Sequence, residues 1–521
     1  MSRRTNSRIE SSRITLQANL DGKRTREERN KLGQFSTPPQ LAREVAAHAL
    51  ALLPKSMPLR FLEPGCNLLA ISSAVIEKAL DRPVQSATGI EIDPHYANPA
   101  KKLWRGTPIK IILGDFTRLR PPANDGERAT LLICNPPYVR HQHIKSTEKA
   151  RMQRAIQDAL GIKFSGLSGL YCYFIAFAHD WLCEGGVAQW IIPSEFMQSN
   201  YGRALKEYLL RHVTLLGIHR FDSNDVQFKD ALVSSAVVSF KKAKPPANHQ
   251  VRFSFGGTLL EPTIIKAIST QVLMRTDKWT RYPEQKPQRE HRGWLLGDLF
   301  TIKRGINTGA NDFFIVDEEE IRSRNLPMRY LRPILPRGGR IAGNEIRANT
   351  AGAPVLGIPR LYVIDCDLSE KAIAWSEPEL WTYLRTGVAD VAQAYTCRKR
   401  KLWYEQEDRA PAPIVCSYAG RTDKNRQPFR FFLNHSSAIA TNNLYMLYPK
   451  PILGRRFMAS PEALRPIWQA LNAMNDKTLL AEGRCYGGGL HKMEPGEFAK
   501  VPADTLARIA GLPAKSKVRR S

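Results

Sequence analysis

At 521 residues the chain can form two domains or one large one, and either can bury an ample core. Its 77 Lys and Arg stand against 49 Asp and Glu, a formal net charge of +28 with a pI near 9.9. So large an excess points beyond solubility to a polyanion, above all nucleic acid, held with strongly salt-dependent affinity. No run of about 18 uncharged apolar residues occurs, so no membrane span is expected, and Met1 to Asn30 lacks the apolar core of a secretory signal. The eight cysteines show no C-x-x-C pair, the usage of a reduced cytosolic protein without disulfides or structural zinc.

Residues 1–30 are charged and are expected to be a basic, poorly ordered N-terminus. From Leu41 to Leu53, LAREVAAHALALL has helical spacing, with Ser36 or Thr37 placed to cap it. Short apolar runs follow at 59–62, 87–92, 109–113, 131–134 and 187–192, separated by helical stretches at 72–80, 94–104 and 170–182. Strands alternating with helices predict an α/β fold: a doubly wound, mostly parallel sheet that binds ligands beyond the carboxyl ends of its strands. Ala231 to Phe240 reads as its final strand and runs into Lys241-Lys242-Ala243-Lys244-Pro245-Pro246, the best linker signal in the chain. The expected boundaries are therefore a first domain at 31–245, a bridging segment at 246–290, a mixed α/β second domain at 291–505 and a basic tail at 506–521. No internal repeat is visible.

Leu131-Leu132-Ile133-Cys134 ends in Asn135-Pro136-Pro137-Tyr138, a buried strand with a rigid polar tip. Two prolines fix φ and push the preceding residues into extended backbone. The Asn135 side-chain carbonyl and the Pro136 backbone carbonyl can then face one small space, with the Tyr138 ring closing over it. Two acceptors and a stacking face suit a planar exocyclic amine. Upstream, Leu62-Glu63-Pro64-Gly65, Gly89-Ile90-Glu91-Ile92-Asp93-Pro94 and Gly114-Asp115-Phe116 end the first three strands. An acid at the second tip is placed to accept hydrogen bonds from ribose hydroxyls. An Asp-Phe pair at the third could hold an adenine amine and cover its ring.

The order GQFSTPP, LEPG, GIEIDP, GDF, NPPY resembles the gamma class of S-adenosylmethionine-dependent DNA adenine-N6 methyltransferases. NPPYVRHQH, GLYCYF, IPSEF, TIKRGINTGANDFF and YGGGLHKMEP extend the likeness to the type II modification methylases of restriction systems, over about residues 30–505. The resemblance implies S-adenosylmethionine as cofactor, a catalytic domain followed by a target-recognition domain, and double-stranded DNA as partner. It further implies a cognate restriction endonuclease and a monomer in the bacterial cytoplasm. By position, Thr37 resembles a residue at the methionine moiety and Glu63 the acid near the cofactor amino group. Gly65 belongs to the cofactor turn, and Glu91 resembles the ribose acid. Asp115 and Phe116 resemble the cofactor-adenine pair. Asn135, Pro136 and Tyr138 resemble the target-amine site, and Phe228 the second aromatic against a flipped base.

One stretch departs from the family. Where a glycine-rich turn is expected, LEPG continues as Cys66-Asn67-Leu68-Leu69-Ala70-Ile71-Ser72. Without glycine the turn loses easy access to φ > 0; Asn67 tolerates it, whereas Leu68 and Leu69 are poor substitutes. Another backbone path to the cofactor, impaired cofactor binding and a local frameshift all fit this stretch, so a catalytically impaired DNA-binding homologue stands as an alternative, with an RNA adenine-N6 methyltransferase behind it. His141 and His143 have no evident third ligand, and no metal is expected. Arg304, Arg329, Arg332, Arg337 and Arg340 in the second half are candidates for phosphate contacts.

Overall fold

In a computed structural model of the protein the apolar runs at 59–134 become four parallel strands. The structure describes residues 3–79, 82–222, 227, 234–283, 291, 293–421, 429–476, 478–479, 483–486 and 490–515. The chain divides into two compact units, built mainly from residues 1–287 and 288–521.

The first unit is organised by β1 (Leu59–Pro64), β2 (Val84–Glu91), β3 (Ile109–Leu113), β4 (Ala129–Cys134), β5 (Leu182–Pro193), β6 (Thr214–Arg220), β7 (Ser235–Lys241), β8 (Gln250–Gly257) and β9 (Pro262–Ser269). They form one sheet in the order β3-β2-β1-β4-β5-β7-β6-β8-β9. The β3-β2-β1-β4-β5 half is parallel, and β7 enters antiparallel to both β5 and β6. Every residue of β4 is buried, the pattern of a strand covered on both faces. The winding reverses between β1 and β4: the chain moves outward from β1 to β3 and then returns to β1's other side. A crevice opens beyond the carboxyl ends at such a switch point, here flanked by Glu63-Pro64-Gly65 and by Asn135-Pro136-Pro137-Tyr138.

The main helices of this unit are α1 (Arg3–Gly22), α2 (Arg26–Leu32), α3 (Pro39–Leu52), α4 (Ala70–Lys78), α5 (Pro94–Leu103), α6 (Ser146–Leu160), α7 (Leu170–Phe177) and α8 (Arg203–Arg211). Two expectations are corrected. Residues 3–22 are helical rather than poorly ordered, because Ile9, Arg13, Leu16, Gln17 and Leu20 share a face that packs on α4 and α5. Arg13 is buried there with its charge paired to Glu10 at 2.7 Å, so a polar residue occupies a core position. The segment 246–290 is no linker: β8 pairs parallel to β6 and β9 pairs antiparallel to β8, so the sheet continues past the Lys-Pro run. That run is a turn out of β7, tied down by Lys242 N–H to Gly186 O and Lys242 Nζ to Leu182 O.

The second unit is mixed α/β. A six-stranded sheet runs in the order Phe300–Arg304, Leu444–Pro449, Ile414–Ser417, Phe431–Asn434, Glu345–Ala348, Pro354–Val355. A four-stranded sheet runs Ile315–Asp317, Leu361–Ile364, Leu331–Leu335, Ile439–Ala440. No helix among the described residues is long and apolar enough to cross a membrane. Cys66, Cys134, Cys172, Cys183, Cys366, Cys397 and Cys416 are free and buried.

Candidate active site

The switch-point crevice holds a cavity of about 350 Å³, the scale of a small-molecule site. Thr37, Glu63, Gly65, Glu91, Asp115, Phe116 and Asn135, all singled out from the sequence, line it. Strand tips separated by up to 72 residues are thereby brought to one place. Cys134 Sγ, 2.9 Å from Pro64 O, links the β4 and β1 tips beneath it.

At the β4 end the geometry of Asn135 is defined by its amide. Nδ2 donates to Phe35 O at 2.9 Å and to Thr37 Oγ1 at 3.1 Å. The Phe35 carbonyl can only accept, so it fixes which end of the amide is nitrogen. Oδ1 is buried and has no hydrogen-bond partner. A buried carbonyl left without a donor is costly, and such atoms mark sites that await a ligand donor. The Gly33–Pro39 segment that holds Asn135 lies against its loop. Tyr138 N–H donates to Gly33 O at 3.1 Å, and a Cβ on Gly33 (φ +65°) would sit 2.4 Å from Tyr138 N. Glycine is required there by both the close approach and the positive φ.

One expectation at this end needs correction. Neither Ser36 nor Thr37 caps α3; Pro38 occupies that position, while Ser36 Oγ donates to Asp21 Oδ2 and Thr37 Oγ1 serves Asn135. Tyr138 and Pro136 do not line the cavity. The Tyr138 ring is buried against Phe35, with centroids 5.6 Å apart, and its hydroxyl donates to Ile191 O at 2.9 Å. Phe228 lies outside the described residues.

At the β1 end the departure from glycine is resolved by a formed turn. Gly65 (φ +68°), Asn67 (φ +51°) and Leu69 (φ +62°) alternate in left-handed backbone, and Leu69 leads into α4. For leucine that conformation costs about 1–2 kcal/mol. Ile90 O accepts from both Gly65 N–H and Cys66 N–H, at 2.7 and 3.0 Å. The Leu69 side chain is fully buried and turns away from the cavity toward β2. A Cβ on Gly89 would lie 2.7 Å from Leu69 Cδ2 and 2.8 Å from Cys66 Sγ, so the bulky turn fits only because β2 carries glycine opposite it.

The acids at the tips each hold part of this frame. Glu63 Oε2 accepts from Ser72 N–H at 2.8 Å and Ser72 Oγ at 2.5 Å, capping α4 from the neighbouring strand because Leu69 offers no cap of its own. Burial pushes its carboxyl up to about 7 against those hydrogen bonds. Glu91 Oε2 accepts from Asn67 N–H at 2.8 Å and Oε1 from Asp93 N–H at 2.9 Å; burial raises its pKa too. Asp115 Oδ1 accepts from Thr117 N–H and Oγ1 at 2.9 and 2.8 Å, leaving Oδ2 near Arg118 at 3.4 Å. Phe116 packs on Phe174 and Trp181 to form an apolar wall.

Sequence reasoning passed over three contributors. Asp93 caps α5 through His95 N–H and takes Arg24 Nη1 at 2.5 Å and Gln34 Nε2 at 2.8 Å, joining the β2 tip to the N-terminal segment. Burial works against its charge, but those donors outweigh it and hold the carboxyl below its ordinary value. Arg151 of α6 lines the cavity and clasps the Asp115 turn through Thr117 O and Oγ1. Gln17 of α1 lines the cavity as well. The Asp-Pro of GIEIDP, a helix-capping pair, was a readable signal for the first; the other two had none.

In the second unit, Arg329 pairs with Glu377 and Arg332 with Asp365, while Arg304 donates to Asn442 O and lies over the Tyr418 ring. These three have partners within the unit; Arg337 and Arg340 are exposed. Among the described residues one group, Glu345, His435 and Glu462, has metal-ligand proximity. The Arg465 guanidinium bonds to both of its carboxylates and supplies the positive charge there.

Residues 123–227 match the family model of the Eco57I restriction-modification methylase, and residues 272–519 that of the type II methyltransferase M.Eco57I, C-terminal domain. The type II methyltransferase M.XamI of Xanthomonas campestris pv. amaranthicola is 26% identical over 491 residues, covering 92% of this chain and 86% of that protein. M.AccI of Acinetobacter calcoaceticus is 23% identical over 499 residues, covering 91% and 85%. Among solved structures, the DrdV–DNA complex shares the fold with a TM-score of 0.54 at 12% identity, covering 96% of this chain but 58% of that longer one. The chain belongs to the type II methyltransferases of the Eco57I restriction-modification methylase family.

Proposed function

We propose that the protein transfers a methyl group from S-adenosylmethionine to the N6 amine of an adenine flipped out of a specific double-stranded DNA site. Such a mark would protect host DNA from a cognate restriction endonuclease. The observation that carries this reading is Asn135: its nitrogen is bound to Phe35 and Thr37, and its buried oxygen has no donor. A neutral acceptor held in place is what an aromatic amine needs.

The residues present fit the cofactor. Glu63 and Glu91 give the cavity an acidic end for a cationic amino acid and ribose hydroxyls. Ile90, Phe116 and Phe174 give it an apolar end for a base, with the Asp115 turn at its edge. S-adenosylmethionine supplies an electrophilic methyl group. The chain's own contribution is to make the amine nucleophilic. An adenine N6 lone pair is delocalised into the ring. Asn135 Oδ1 and the Pro136 carbonyl, each accepting one N6 hydrogen, draw those hydrogens out of the ring plane and free the lone pair. No group of tuned basicity is required before attack, so positioning and fixed dipoles supply most of the rate.

Flipping the base costs a few kcal/mol. Tyr138 is the residue we assign to stacking, worth about 1–3 kcal/mol per base. Its hydroxyl anchor on Ile191 O would hold the ring in one orientation. Phe228 is assigned as the second aromatic on sequence grounds. The net charge of +28 supports a polyanionic substrate, with the second unit reading the site.

The test is single-molecule detection of modified bases in plasmid DNA from an expressing host. Modified adenine at one recurring sequence is expected. Uniformly unmodified DNA, or modified cytosine, contradicts the reading.

A further inference from the structure

The β1–α4 turn places Asn67 and Leu69 in left-handed backbone, strained for the leucine, and lacks the glycines that adopt it freely, so something must hold it. Strained backbone persists only where its surroundings over-determine it. From below it is fixed by β2, through Ile90 O and Glu91, and by Trp104 Nε1, which donates to Leu68 O at 3.3 Å. From the cavity side the hold comes from α1. Gln17 is 8% exposed and lines the cavity, and its Nε2 donates to Asn67 Oδ1 at 3.3 Å and to Asp21 Oδ1 at 2.9 Å. Asp21 also accepts from Tyr96 Oη at 2.9 Å and from Ser36 Oγ at 3.0 Å. One carboxylate thus joins Gln17, α5 and the Gly33–Pro39 segment, and through Gln17 it reaches the turn. Three of the chain stretches that bound the cavity meet at this point.

Resting on the reading of the cavity as a cofactor site, we infer that α1 is a cofactor clamp. Gln17 and Asp21 are positioning residues that keep Asn67 and Leu69 in left-handed backbone and so set the affinity for S-adenosylmethionine. They do by tertiary hydrogen bonds what a glycine-rich turn does by conformational freedom. Both amide hydrogens of Gln17 are used in the clamp, which leaves its oxygen alone to face a ligand.

The experiment is calorimetric binding of S-adenosylmethionine to the full chain and its variants, with steady-state kinetics on DNA. Gln17→Ala should weaken binding about tenfold, and Asp21→Ala by more, since loss of a hydrogen-bonded brace of this kind is worth about one decade. KM for S-adenosylmethionine should rise by a larger factor than kcat falls. The discriminating variant is Asn67→Gly in the Gln17→Ala background. Glycine takes positive φ without a brace, so the double variant should recover most of the lost affinity. Wild-type affinity in Gln17→Ala, or no recovery in the double variant, overturns the clamp while the wild type still binds. A wild type that does not bind S-adenosylmethionine removes the cofactor reading itself and the clamp with it.

Discussion

The tips of β4 and β1 face one cavity but keep their shapes by different means. At β4 the backbone constraint is covalent and local, set by two prolines, and only the side-chain amide draws on distant partners, Phe35 O and Thr37 Oγ1, 100 and 98 residues away. At β1 three left-handed residues are held by β2, α5 and α1, elements far away in sequence. The first kind of site can be read from a tetrapeptide. The second is a tertiary construction, and it tolerates a sequence that local rules reject.

The sharpest way to separate the two ends is Asn135→Ala. It removes an acceptor needed only as the amine reacts, so kcat should fall at least about 100-fold, as for loss of a transition-state hydrogen bond. Affinity for S-adenosylmethionine, measured by calorimetry, should stay within a few-fold. Near-normal turnover would remove Asn135 from the chemistry.

At the other end, Gly89→Ala puts a Cβ into Leu69 Cδ2 and Cys66 Sγ. It should destabilise the first unit by about 1–3 kcal/mol, as overpacking does, and weaken cofactor binding. Thermal unfolding and calorimetry on the same variant check this. A fully stable variant that binds normally would mean the turn is not wedged against β2.

Thr37→Ala takes one of two acceptors from the Asn135 amide. A loss of about 1 kcal/mol, roughly fivefold in kcat, is expected, with recovery in Thr37→Ser. No recovery would place the Thr37 methyl, not its hydroxyl, in the role.

The smallest effect concerns Glu63. Its pKa of about 7 in the fold lies above the ordinary 4.5, so between those values the folded state holds a proton that the unfolded chain has lost. The corresponding stability is present at acid pH and declines as pH rises through about 7, by about 1 kcal/mol from pH 6 to pH 8. Glu63→Gln should flatten that part of the stability profile in denaturant unfolding. An unchanged slope would place the titration elsewhere.

The parallel strands and their polar tips were legible because a buried strand is a continuous apolar run, and Glu63, Glu91, Asp115 and Asn135 each lie at or just beyond the end of one. The helix over 3–22 was not, because its inward face carries Arg13 and Gln17 between Ile9, Leu16 and Leu20, and the apolar periodicity is broken where the polar side chains find partners. Residues 250–257 alternate in burial and make a strand, but the Lys-Pro run before them read as a boundary. Tyr138 was visible as an aromatic beside the amine site. Its anchor on Ile191, a carbonyl of β5, depends on a strand 53 residues away.

Nucleoside analysis of DNA treated with methyl-labelled S-adenosylmethionine tests the central claim most directly, run in parallel on the wild type and Asn135→Ala. The account predicts label in N6-methyladenine with the wild type and none above background with the variant. Label in a cytosine product, or undiminished adenine methylation by Asn135→Ala, would contradict it.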